Sequence, residues 1–404
     1  MRLPSEQDFS SRLRSPAVSS RVGVWLGVCF AVAFLTGLIS HASQVTDQVI
    51  PFPASPSWGY RVTQGLHVTA GTAAVPLLLV KLWTVFHRLF TRPPRAARAL
   101  LLHALERVSI GVLVASAIFM LVTGLANAAQ WYPWSFSFRS THYAIAWVAI
   151  GSLVIHVAVQ LPVIRKALGE DVDSTDQDRD GGGAGGVGGG GSPTGEEPAE
   201  AGRTSSRGVL TRRGLLRSTW LATGVAVLAT AGSTVPALRR ISVFGVRSGD
   251  GPAGIPINKS AKSADVLGSA TSSSYRLTVV NGDREVVLSR ADLLAMPQRR
   301  EELPIACVEG WSASGTWGGV RVRDLLDLVD APAGSDVKVD SLQESGPFRS
   351  SLLQGNFADH PLTLLAVELE GEPLAIDHGY PCRIIAPNRP GVLQTKWVDR
   401  LEVV

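Results

Sequence analysis

One stretch sets the character of the C-terminal half: Leu303-Pro304-Ile305-Ala306-Cys307-Val308-Glu309-Gly310-Trp311-Ser312, followed closely by Trp317-Gly318-Gly319-Val320. The apolar run 303–308 predicts a strand that delivers Cys307. Working outward, short strands are predicted over 275–280 and 284–288 around the turn Asn281-Gly282-Asp283, then over 337–342, 364–369, 383–386 and 397–404. A capped short helix is predicted over 289–294 and a second helix over 321–329. Such a mixture over about 130 residues implies one compact α+β domain.

The N-terminal half is different in kind. The chain of 404 residues is 45% hydrophobic and 18% charged, with mean hydropathy +0.18, where an average soluble chain is roughly 25% charged. The apolar share excludes a purely disordered chain, and 3 Cys exclude a disulfide scaffold. Four apolar segments lie at 22–40, 66–86, 108–126 and 143–161, with Lys81 the only charge inside them. Each has the length that crosses about 30 Å of hydrocarbon. Core helices of a soluble protein would carry charged faces. Arg12, Arg14 and Arg21 precede the first segment; Arg88, Arg92, Arg95, Arg98 and Arg107 crowd the second connection; Arg165 and Lys166 follow the fourth segment. The other two connections hold only Arg61 and Arg139. This bias places both ends of the four-helix unit in the cytoplasm and loops 42–65 and 127–141 outside. The net charge of +4 then follows from topology, and no nucleic-acid partner is implied.

An acidic stretch after Gly169 and the glycine-rich tract 181–191 predict a flexible linker. A weaker fifth apolar segment spans 220–238, preceded by Thr211-Arg212-Arg213-Gly214-Leu215-Leu216-Arg217. That run resembles a twin-arginine export signal, although paired arginines also serve as simple anchors. Ala229-Thr230-Ala231 offers a cleavage site, while retention would anchor the outer domain. The expected division is a four-span membrane domain over 1–168, a linker over 169–210, a fifth helix over 211–240 and an extracytoplasmic domain over 241–404.

The C-terminal domain resembles the oxidoreductase molybdopterin-binding domain of the sulfite oxidase superfamily, and most of all the branch with the bacterial methionine sulfoxide reductase catalytic subunit. The resemblance rests on Cys307-Val308-Glu309-Gly310-Trp311-Ser312, on Trp317-Gly318-Gly319-Val320, on Ile376-Asp377-His378-Gly379-Tyr380-Pro381-Cys382-Arg383, and on Ala386-Pro387, Gly391 and Lys396-Trp397-Val398. It implies that the Cys307 thiolate is the single protein ligand to molybdenum, a soft donor for that metal, held rigidly but open to substrate. It places His378, Arg383, Lys396 and the segment around Gln394 and Thr395 on the pterin and its phosphate, with Asn258 a weaker match to a pterin-contacting segment. Glu309 is assigned either to proton delivery or to structural hydrogen bonding. Phe348 and Arg349 fall where relatives line the substrate funnel, and Phe348 replaces a tyrosine common there. Cys382 is read as packing and His360 as a surface residue. The twin-arginine export machinery moves folded domains, which suits one loaded with a cofactor.

Histidines in the apolar half point to haem. His142 and His156 are fourteen residues apart, about 40° from whole helical turns and ~21 Å along one face. The unit resembles di-haem four-helix cytochromes b, which implies one or two b haems. His67 enters from the same side as His142 and is expected to share an outer haem iron with it. The inner partner of His156 stays open: His87 falls on the opposite helix face from His67 and His103 precedes the third segment, while His41, at an outer end, is either a ligand or an interfacial residue.

Together these readings imply a multi-pass protein of the bacterial cytoplasmic membrane. Electrons would pass between the quinone pool, or another membrane donor, and an outer molybdenum centre acting on a small or protein-bound oxo-substrate, with sulfoxide-type reduction ahead of sulfite-type oxidation. The rival is a non-catalytic haem membrane protein with a degenerate binding domain. A reporter that works only in the cytoplasm is expected to stay inactive when fused after Val404; activity there would overturn the topology.

Overall fold

The computed structural model describes residues 6–9, 11–45, 52–91, 93–173, 210–243, 252–346 and 348–404. The predicted glycine tract lies outside the described residues. Among the described residues five helices are long and apolar enough to cross a membrane: α1 (Pro16–Ala42), α2 (Gly59–Val85), α3 (Ala97–Ala128), α4 (Phe138–Gly169) and α5 (Arg212–Thr230). The first four outrun the apolar segments that announce them, because polar flanking turns continue each helix. The chain folds as two compact units. Unit 1 is Met1–Phe30, Ala73–Phe119 and Trp147–Ala226; unit 2 is Ala31–Thr72, Met120–Ala146 and Val227–Val404.

Within unit 1, Lys81 lends its ammonium to the Ser19 carbonyl at 3.0 Å and to the Ser19 hydroxyl at 2.8 Å. An internal partner thus meets a charge inside an apolar helix, where the sequence suggests snorkelling. The fifth helix runs Arg212–Thr230, where the sequence gives 211–240. Thr211 caps Gly214 N–H through its hydroxyl at 3.0 Å, so the paired arginines sit in the first turn of α5, and short 3-10 turns occupy 231–233 and 236–238. Arg212 is buried and donates to the carbonyls of Arg12 and Val172, while Arg213 pairs with Asp171 and Asp173.

The C-terminal part of unit 2 holds two sheets. The first, in the order β2-β1-β10-β5-β6, consists of β1 (Leu277–Asn281), β2 (Arg284–Leu288), β5 (Val337–Ser341), β6 (Ser350–Leu353) and β10 (Val398–Val403). Only β1 and β10 run parallel in it. The second sheet runs β3 (Arg299–Ala306), β4 (Ser312–Arg321), β7 (Leu364–Leu369) and β8 (Glu372–Pro373), with β9 (Arg383–Ile385) paired to β7. The helix α6 (Arg290–Ala295) starts with a complete capping box between Ser289 and Asp292. The α+β class follows from these sheets, and several strands depart from expectation, the short β6 and β8 among them. β3 stops at Ala306, leaving Cys307 on the following loop. The ten-residue β4 is not anticipated, because it is buried along nearly its whole length and shows no period-2 alternation.

Glycines make β4 possible. A Cβ on Gly319 would lie 2.2 Å from the Leu365 carbonyl oxygen and 2.6 Å from Ala366 Cα, beside a register shift between Gly318 and Gly319. Gly319→Ala is therefore expected to push β4 off β7 at an overpacking cost of about 1–3 kcal/mol. A lower Tm of the full chain would show it, and an unchanged Tm would refute the close approach.

Candidate active site

The hairpin between β3 and β4 closes on itself. Cys307 N–H donates to the Trp311 carbonyl at 2.9 Å, and Gly310 N–H to the Cys307 carbonyl at 3.0 Å. Gly310 has φ +90°, and a Cβ there would sit 2.9 Å from Val68 Cγ2 of α2, so glycine is required both for conformation and for room. The sulfur is fully buried at 0% exposure, where the sequence reading has it open to substrate. Glu309 Oε2 accepts from Trp311 Nε1 at 3.0 Å and from Gln130 Nε2 at 2.7 Å, with Cys307 Sγ at 3.7 Å. Burial first, and then the Glu309 carboxylate, push the Cys307 thiol well above its ordinary range. A thiolate here needs a cation beside it.

Cations surround the base of this loop. Pro390 bridges Ala306, and Arg383 bridges Lys396. A Cβ on Gly391 would meet the Ala306 carbonyl oxygen at 3.0 Å and Cys307 Cα at 3.5 Å, so the 387–396 loop runs against the cysteine. Arg383 is 3% exposed and spends its donors on the carbonyls of His378 at 3.1 Å and Gln394 at 3.2 Å. Its guanidinium lies 5.1 Å from the centre of the Trp317 ring. Lys396 donates to the carbonyls of Lys259 and Asp377, with its ammonium 4.5 Å from the Trp397 ring. Arg389, which the sequence reading passes over, is 3% exposed; its Nη2 donates to the Leu352 carbonyl at 2.7 Å, while Nε and Nη1 find no hydrogen-bond partner among the described residues. The available signal was an arginine standing, with Asn388, between Pro387 and Pro390.

Burial pulls Arg383 and Arg389 down to about 9 each, and burial followed by the Arg383 charge pulls Lys396 down to about 7. Among the described residues no carboxylate offsets the two arginines, while Asp377 and the Cys307 thiol are the acidic groups acting on Lys396. Buried cations in this state fit an anionic group such as a phosphate.

The other predicted site residues fall around this centre with different roles. His378 is buried and ends a 3-10 turn before Gly379. The Thr395 hydroxyl bonds Ser351 at 2.7 Å, and the Gln394 side chain clips Ala386 through both backbone groups at 2.8 Å. Asn258 accepts from Lys259 N–H, one residue from the carbonyl that holds Lys396. Phe348 and Arg349 precede β6; Phe348 lies under the Arg139 guanidinium at 5.7 Å, and exposed Arg349 donates to the Glu344 carbonyl. Neither has a recorded contact with Cys307. Cys382 is buried and bonds the Tyr275 hydroxyl at 3.1 Å, as a packing residue would, and His360 bonds Ser55 at 3.2 Å.

Unit 2 also brings His67 and His142 together, with ring centroids 6.4 Å apart and planes at 66°. His67 Nδ1 faces the Ala33 carbonyl at 2.8 Å. A carbonyl only accepts, so Nδ1 carries the proton and Nε2 keeps a free lone pair. The Thr123 hydroxyl hydrogen-bonds His142 Nδ1 at 3.0 Å. Gly37 makes space for the His67 ring, since a Cβ there would be 3.0 Å from Cε1. His156 belongs to unit 1 and is not part of this pair. His41 stacks on Tyr143 at 3.7 Å.

Comparison with known proteins agrees with this geometry. Residues 264–404 match the family described as oxidoreductase molybdopterin binding domain. The chain is 34% identical over 114 residues to sulfite oxidase of Arabidopsis thaliana, covering 24% of this chain and 29% of that protein. It is 32% identical over 112 residues to the putative protein-methionine-sulfoxide reductase subunit YedZ1 of Azospira oryzae, covering 28% and 42%. Over 134 residues it is 28% identical to the protein-methionine-sulfoxide reductase catalytic subunit MsrP of Campylobacter jejuni, covering 30% and 45%. The chain thus spans less than half the length of each of these relatives.

The depressed lysine has a measurable consequence. Between about pH 7 and the ordinary lysine value near 10.4, the unfolded chain binds a proton that folded Lys396 does not, so stability rises with pH across that window and the penalty is complete below it. In chain produced without cofactor, thermal unfolding is expected to show this rise, about 2 kcal/mol between pH 7 and 9. Lys396→Met should flatten it, and a profile identical to wild type would exclude the buried ammonium.

Proposed function

With residues 264–404 an oxidoreductase molybdopterin-binding domain, we propose that the protein is a membrane-anchored molybdenum enzyme that reduces sulfoxides with electrons received through the histidine-bearing helices. One observation carries the reading: the buried Cys307 packs against the 387–396 loop, and Arg383, Arg389 and Lys396, in and around that loop, are buried cations short of counter-charge. Cys307 would hold the metal, and the three cations with His378 would hold the anionic pterin. Asn258 and Thr395 support the segments carrying Lys396. When bound, the molybdenum cofactor supplies two-electron oxygen-atom transfer.

The chain's own part is to place and neutralise. Trp311 and Gln130 fix the Glu309 carboxylate near the sulfur, where it can relay a proton. The balance is one sulfoxide, two electrons and two protons giving one thioether and one water. Sulfoxide is preferred because two of the relatives are named protein-methionine-sulfoxide reductase proteins and because Phe348 lacks the hydroxyl of a tyrosine.

The His67–His142 pair supports a b haem on the same unit. Two imidazoles on one iron, each with a metal–nitrogen bond of about 2 Å, have ring centroids roughly 6 Å apart, and the observed spacing is 6.4 Å. Both Nδ1 atoms are anchored as ligating imidazoles usually are. His156 remains the candidate for a second, inner haem. The membrane quinone pool would be the donor, and the twin-arginine machinery the route by which the C-terminal domain reaches the outside.

Purified protein is expected to contain molybdenum, to show reduced-minus-oxidised b-type bands, and to oxidise them when methionine sulfoxide is added. Cys307→Ser should lose turnover while keeping the bands; His67→Ala and His142→Ala should each lose the outer haem. Sulfite reducing the bands would reverse the direction of flow, and absence of molybdenum would sink the enzyme.

A further inference from the structure

The Val308 carbonyl, one residue beyond Cys307, accepts two hydrogen bonds: from Gln64 Nε2 of α2 at 3.2 Å and from Asn127 Nδ2 of α3 at 2.9 Å. Gln64 stands one turn before His67, and Asn127 one turn after Thr123, the residue bonded to His142. Gln64 thus stands about 4.5 Å of helical rise from His67, and Asn127 about 6 Å from Thr123, which bonds His142 from α3, so both amides gripping this peptide lie one turn from the histidine site. A third contact joins the two places without passing through that carbonyl. Val68, the neighbour of His67, packs where a Cβ of Gly310 would be, and the Thr234 hydroxyl fastens the Gly310 carbonyl. Both Gln64 and Asn127 are buried, so neither amide is an incidental surface contact. All these residues belong to unit 2.

We infer that the Val308 peptide is the junction through which electrons cross directly from the His67–His142 site to the Cys307 site, with Gln64 and Asn127 as its positioning residues. This rests on the reading that those sites hold haem and molybdenum. A quinol releases two electrons and two protons. The electrons pass singly across the junction, two per turnover, and the sulfoxide takes both with two protons to give thioether and water. Covalent and hydrogen-bonded links couple the two sites more strongly than a gap would, and no further carrier is needed between them.

The test uses the full chain in detergent with the near-isosteric double variant Gln64→Met/Asn127→Leu, which removes both donors and touches neither histidine nor Cys307. Three quantities are read: b-type band intensity, turnover driven by a reduced viologen feeding the Cys307 site from solution, and the stopped-flow rate at which pre-reduced haem is oxidised by methionine sulfoxide. Band intensity and viologen-driven turnover are expected to stay within about twofold of wild type, while haem oxidation slows by about tenfold or more. Amide hydrogen exchange over 307–311 should quicken, a readout that needs neither cofactor. Unchanged haem oxidation overturns the junction, and so does an equal fall in viologen-driven turnover, which would place the two residues at the Cys307 site itself. Wild-type protein without b-type bands fails at the underlying reading instead, and takes the junction with it.

Discussion

Buried positive charge lacking a counter-charge is the constraint on which the C-terminal part of unit 2 turns. Removing one such ion from water costs several kcal/mol even after the surroundings relax. Arg383 and Lys396 recover part of this from carbonyl oxygens and from the Trp317 and Trp397 rings; a cation over an indole contributes about 0.5–2 kcal/mol. Arg389 recovers less, since two of its nitrogens find no partner among the described residues. The two tryptophans of the sequence motifs are thus partial compensation, and the balance is left for an anion. The Cys307 thiol has the opposite need, because burial and Glu309 both oppose its ionisation. A single ligand that offers a metal cation to the sulfur and a phosphate to the guanidiniums satisfies both sides at once.

Much of the fold was legible where local chemistry decides it. The Ser289–Asp292 capping box, the turn at Asn281-Gly282-Asp283 and the apolar strand Leu364–Leu369 all lie where pattern and propensity place them. The strand β4 was not legible, because its evidence is tertiary. Gly315, Gly318 and Gly319 weaken a strand on paper, yet each admits a neighbour that a side chain would exclude. The extents of α1–α4 escaped for a related reason, since hydropathy marks the apolar middle of a helix and is silent about polar turns that continue it. At the site, Cys307, Arg383 and Lys396 were legible through motif, whereas Arg389 becomes conspicuous only when its burial and unpaired nitrogens are seen.

The apolar helices add a second argument about placement. Ser40, Tyr60, Gln64, Thr123 and Asn127 are buried polar residues in otherwise apolar helices. Read from sequence alone, they only dilute hydropathy. In the fold each has a partner: Ser40 bonds Tyr60 and Gln64, Thr123 bonds His142, and Gln64 and Asn127 reach Val308. Polar groups in such helices are expensive unless satisfied, so their positions report where the helices meet something other than hydrocarbon.

Helical periodicity then couples the two tasks of these helices. Residues three or four apart share a face, so a helix that turns His67 toward His142 also turns Gln64 toward the same side, one turn away. Thr123 and Asn127 stand in the same relation on α3. Turning either helix to improve the grip on Val308 would rotate the support of a histidine, and the reverse holds as well. The separation between the ring pair and the cysteine loop is consequently a property of α2 and α3 themselves.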